Sequence, residues 1–78
     1  MNTYIITYNG NSSNFKGRIW EVLRQSSASQ ALRMFYKEKV GILFEQEDGS
    51  FKDECGNPVL HGEYWIEYDG GTFTAEPL

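Results

Sequence analysis

Residues 1–78 make one small domain, in which each large apolar side chain carries a large share of the stability. The single cysteine, Cys55, excludes an intramolecular disulfide. No apolar run reaches membrane-spanning length and no signal-peptide pattern opens the chain, so a reducing, cytoplasmic setting is expected and a membrane is not. The net charge of −4 divides unevenly: residues 1–44 carry six cationic and two anionic side chains, residues 45–78 one cationic and nine anionic. Either the two halves neutralise each other on folding, or the surface is dipolar, with an acidic face that attracts a basic partner.

In chain order, residues 3–8 (TYIITY) are β-branched and aromatic and read as a strand. Residues 9–14 (NGNSSN) are turn chemistry, and residues 15–24 (FKGRIWEVLR) read as a second strand that forms an antiparallel hairpin with the first. Gly17 marks a bulge or a late start within it. Residues 26–41 (SSASQALRMFYKEKVG) spell a helix. Ser27 and Gln30 have the capping-box spacing, and Ala28, Ala31, Leu32, Phe35 and Tyr36 recur at intervals of three and four as one apolar stripe. Arg33 and Lys37 lie opposite that stripe and are expected to face water. Lys37 and Lys39 complement the dipole in the last turn, and Gly41 is placed to close the helix in the left-handed conformation.

Beyond the helix, residues 42–46 read as a third strand, Asp48-Gly49 as a turn and Phe51 as the start of a short return. Residues 53–58 (DECGNP) form a loop, and residues 59–61 are ambiguous. Residues 63–68 (EYWIEY) read as a strand with Tyr64, Ile66 and Tyr68 on one face and Trp65 and Glu67 on the other. Asp69-Gly70-Gly71 turns the chain, residues 72–75 return as a short edge strand, and Pro77 ends it. The order β-β-α-β-β-β is that of an α+β domain with one helix packed on a mostly antiparallel sheet.

Catalytic and metal constellations are thin. Cys55 and His61 are six residues apart across a Gly-Asn-Pro break, a spacing that fixes no nucleophile–base geometry. One Cys and one His cannot close a zinc site, the calcium-loop spacing is absent, and no glycine motif cradles a phosphate. The carboxylate pairs Glu45/Glu47 and Glu63/Glu67 would need a pocket, for which so short a chain leaves little room. An enzyme, a metal and a cofactor are therefore not expected.

Twelve aromatic side chains are more than one helix-covered sheet face needs, and the strand over residues 63–68 carries rings on both faces. The leading expectation is a non-enzymatic binding module that docks on a basic protein or nucleoprotein surface through Glu63, Trp65, Glu67 and Asp69. An uncovered aromatic face could instead meet a second copy of the chain as a homodimer. The alternative is a nucleic-acid binder in which Arg18, Trp20, Arg24, Arg33 and Lys37 interleave stacking and phosphate-pairing groups, against an overall acidic charge. In type, a short, acidic, aromatic-rich domain without catalytic residues resembles the inhibitors encoded by phages and mobile elements, including anti-CRISPR proteins. That resemblance implies an inhibitory role and assigns none to any single residue.

Overall fold

The alternation at the start of the chain becomes strand β1 (Asn2–Asn9), which buries Tyr4, Ile6 and Tyr8 and leaves Thr3, Ile5 and Thr7 half-buried. The computed structural model describes residues 1–15 and 19–78, and of Ile19 and Trp20 only the backbone; Lys16, Gly17 and Arg18 lie outside the described residues. The second strand, β2 (Ile19–Gln25), pairs antiparallel with β1 as expected, but Phe15 is not part of it. Phe15 instead closes a turn, its N–H donating to the Ser12 carbonyl at 3.2 Å, and its ring enters the core. The register slips between Ile6↔Glu21 and Thr7↔Ile19, which makes Trp20 the extra residue of a bulge.

Helix α1 (Ala28–Lys39) follows the sequence pattern closely. Ser27 is the N-cap, its Oγ accepting from the Gln30 N–H at 3.2 Å. Ala28, Ala31, Leu32, Phe35 and Tyr36 are the buried face. The end differs from expectation. Val40 and Gly41 both donate to the Tyr36 carbonyl at 2.9 Å, and Gly41 is not left-handed. Gly41 lacks a side chain for another reason: a Cβ there would lie 2.6 Å from Glu54 Oε1, the atom that accepts the Ile42 N–H at 3.1 Å.

That hydrogen bond also explains the short third strand. The Ile42 N–H is satisfied by a carboxylate rather than a neighbouring strand, and pairing is confined to β3 (Phe44–Glu45), β4 (Phe51–Lys52) and β5 (Pro58–Val59). These form a three-stranded antiparallel sheet in the order β3-β4-β5. The Asp48-Gly49 turn closes its first hairpin, with Asp48 Oδ1 accepting from the Ser50 N–H and hydroxyl at 2.9 and 2.6 Å. These bonds to the carboxylate hold Asp48 below its ordinary pKa.

Strand β6 (Trp65–Tyr68) is shorter than the 63–68 reading, because Glu63 and Tyr64 form a bend; Tyr64 is exposed rather than sharing the buried side of Ile66. Asp69 and Gly70, at φ 47° and 75°, make the two-residue turn into β7 (Gly71–Pro77). β7 is not an edge strand. It lies between β1 and β6 in a four-stranded antiparallel sheet ordered β2-β1-β7-β6, with Phe73 and Ala75 fully buried. Pro77, which lacks an N–H, falls at the end of the ladder opposite Tyr4.

One face of this sheet packs against α1 around a ring cluster. Phe73 contacts Phe35, Phe15 and Tyr8 at centroid distances of 4.9, 5.0 and 5.0 Å. The small sheet extends the same layer: Leu60 accepts from the Glu67 N–H at 2.8 Å, and His61 bridges Ile66. The result is an α+β domain with one helix on a mostly antiparallel sheet.

Arg33 is not the solvated residue its position on the helix suggested. Its guanidinium is 2.6 Å from Glu45 Oε1 and lies over the Phe51 ring, 5.0 Å from the centroid. Arg33→Ala is therefore expected to cost about 1 kcal/mol, measurable as a lowered denaturant midpoint, where a solvated side chain would give no shift.

Candidate functional site

Two surfaces follow from this architecture. The first is the outer face of the four-stranded sheet, away from α1. Directly opposed residues share a face, so the register places Val22, Ile5 and Glu76 in one row and Thr7, Thr74 and Trp65 in another, with Arg24 beside Thr3 and Glu67 beside Thr72. Among the described side chains this face is mostly threonine, with Val22 55% and Trp65 39% exposed as its large apolar groups. The Trp65 indole lies against Gly62, where a Cβ would collide with it.

The second surface is a notch. β6 pairs with residues 60–62 at its beginning, but β5 turns away to pair with β4, so the sheet opens beside the end of β6. The opening is a cleft of about 430 Å³ lined by Tyr36, Asp53, Pro58, Val59, Glu67, Tyr68 and Asp69. So short a chain was expected to leave little room for a pocket, and the opening is an open cleft at the sheet edge. Asp53 is fixed by its loop: Oδ1 accepts from the Cys55 and Asn57 N–H groups, both at 2.9 Å. Glu67 comes from the strand, half-buried, and Asp69 from the turn, exposed. Tyr68 is held at the wall by its ring, 5.6 Å from Phe73 and nearly parallel to it.

Among the described residues the ion pairs are Arg33–Glu45 and Lys39–Glu21, and neither involves Asp53, Glu67 or Asp69. Tyr36 forms the floor. Its phenol pKa is raised, first by burial and then by the charge of Asp53, with smaller contributions from Tyr68 and Glu54. It stays a neutral hydroxyl at any physiological pH.

The structure divides both sets of sequence-predicted residues. Glu67 and Asp69 meet at the notch with Trp65 close by on the same strand, while Glu63 sits in the bend at the other end of β6. Of the basic set, Arg24 is exposed on the outer sheet face and Lys37 is exposed on the helix, in the opposite layer. Arg33 is engaged by Glu45 and Phe51, Arg18 lies outside the described residues, and so does the Trp20 side chain. Cys55 is exposed in its loop, and His61 stacks on Phe51 at 4.2 Å.

Asp53 and Tyr36 line the cleft without having been expected from the sequence as partner-binding residues. Asp53 reaches it only through the pairing of β4 with β5. Tyr36 did carry a signal, because a tyrosine in an apolar stripe brings a hydroxyl that needs somewhere polar to go. Among the described residues no three His, Cys, Asp or Glu side chains come together as a metal-holding group, and no helix is long and apolar enough to cross a membrane. No protein family matches the chain, and neither does any curated protein or solved structure.

Proposed function

We propose that the chain is a non-enzymatic docking module that engages a basic surface of a protein or nucleoprotein complex through the acidic notch and the adjoining Trp65. In this reading it serves as an inhibitor of the phage or mobile-element type, acting in the cytoplasm. The observation that carries the reading is that Asp53, Glu67 and Asp69 line one cleft, with no cation paired to them among the described residues. A focused negative potential beside an exposed aromatic anchor speeds encounter with a positive surface and holds it after contact. Among its described members the rival set, with Arg24 on the sheet face, Lys37 on the helix layer and Arg33 already paired, forms no single basic track for a phosphate backbone.

The test is affinity capture from bacterial lysate, with and without nuclease, comparing the parent with Asp53→Asn/Glu67→Gln/Asp69→Asn. These replacements remove three negative charges and keep the loop acceptor of Asp53 and an asparagine at the left-handed turn position. A polypeptide that survives nuclease, is retained by the parent and by Glu63→Gln, and is lost by the triple variant is the expected result. Recovery of nucleic acid alone contradicts the proposal.

A further inference from the structure

We propose that the sheet face away from α1 is a dimer interface, covered by the same face of a second copy of the chain. The face runs across both sheets. β1 buries Tyr4, Ile6 and Tyr8 toward α1, so Ile5 and its partner Val22 point the other way. At the far end of the layer Leu43, Phe51 and Val59 are buried in the core, so their neighbours Ile42, Phe44, Lys52, Pro58 and Leu60 are turned outward. Residues 60–62 join the two parts through β6, with Leu60 beside Glu67 and Gly62 beside Trp65. Val22, Ile42, Phe44, Leu60 and Trp65 are five of the nine large apolar side chains exposed among the described residues, and all five lie on this face, with Trp65 near its middle. Single exposed apolar groups are ordinary, whereas a run of them along one side of a sheet marks an interaction surface.

Charge and size both point to a second copy as the occupant. The chain carries −4, yet the described charged side chains that the register places on this face, Arg24, Lys52, Glu67 and Glu76, balance to zero. Two copies of an acidic chain repel each other through surfaces that share the net charge, and the balanced face is where that repulsion is least. Its opposite signs also let Arg24 or Lys52 of one copy meet Glu67 or Glu76 of the other. A strongly basic surface or a phosphate backbone gains no long-range attraction from a face without net charge. In size the molecule is a slab of 32 × 30 × 18 Å, and the 18 Å thickness fits one helix layer on one sheet layer. The broad sheet face therefore has room for the about 800 Å² that each partner of a stable interface buries. Pairing two such faces gives a helix–sheet–sheet–helix stack in which each sheet is covered on both sides. The dimer goes beyond the docking reading and does not depend on it. The two share Trp65, so a partner that takes this side chain competes with the second copy.

The experiment is analytical ultracentrifugation of the purified whole chain over a wide concentration range, at low and at high salt. A monomer–dimer equilibrium that tightens with salt is expected, because salt screens the repulsion between two acidic chains and leaves apolar burial intact. Phe44→Asp/Leu60→Asp and, separately, Val22→Asp should each raise the dimer Kd about 100-fold. The two sets lie at opposite ends of the face, so a folding defect in one variant leaves the other as a test. Met34→Asp, at an exposed apolar position on α1 in the opposite layer, should leave the dimer unchanged. A chain that stays monomeric throughout, a dimer that salt dissolves, or a parent-like Kd in a folded face variant would each overturn the proposal. A monomeric chain that captures a lysate protein, and loses it on Phe44→Asp/Leu60→Asp, would assign the face to a different protein instead. The purified chain is measured alone, so a monomer here leaves capture through the notch as it was.

Discussion

Replacing Phe35 by alanine is expected to cost about 3–5 kcal/mol of folding stability. The ring is fully buried and meets Phe73, also fully buried, edge to face at 4.9 Å, so its removal opens a cavity where α1 meets the central strand β7. Helix and sheet both lose their principal contact, and the surrounding rings have little room to collapse. A chain of 78 residues has about 4–12 kcal/mol of stability in total, so the variant should retain only a fraction of the parent's denaturant range. A urea midpoint equal to the parent's would mean that Phe35 does not pack where the structure places it.

Gly71→Ala is expected to cost about 1–3 kcal/mol, toward the upper end. A Cβ at Gly71 would lie 2.5 Å from the Asn9 carbonyl oxygen, 2.6 Å from Gly10 Cα and 2.7 Å from the Tyr8 hydroxyl. The first two are backbone atoms at the end of β1 and just beyond it, and cannot rotate away. The third is tied down, because the Tyr8 hydroxyl donates to the Tyr68 carbonyl at 3.0 Å. Gly70 makes the useful contrast. Its φ is 75° but nothing lies near its missing Cβ, so Gly70→Asn should cost less than about 1 kcal/mol. Thermal unfolding of the two variants side by side separates lack of space from backbone conformation; equal melting temperatures would contradict the close approach of β1 and β7.

The elements governed by local periodicity were legible in the sequence. The Ser27 cap, the five-residue stripe of α1, the alternation of β1 and the Asp69-Gly70 turn are each fixed by residues within one or two turns of chain. Strand order was not. Thr72, Phe73, Thr74 and Ala75 announce a strand but not its neighbours, and pairing a C-terminal strand with the first one is a long-range choice that packing makes. The same limit hid half of the notch. Glu67 and Asp69 stood out by their charge, whereas Asp53 joins them only because β5 leaves β6 to pair with β4. Arg33 was misjudged for a related reason: its helical position is outward, but the small sheet folds over it and supplies Glu45 and Phe51.

In the docking reading, negative charge at the end of β6 steers a basic protein partner into the notch. The most direct measurement is the association rate of the captured polypeptide with the parent chain and with Asp53→Asn/Glu67→Gln/Asp69→Asn, by surface plasmon resonance at low and at high salt. Steering predicts that the triple variant associates about tenfold more slowly at low salt. It also predicts that the two rates converge as salt screens the field, while both chains keep the same melting temperature. Equal association rates at low salt would contradict the account.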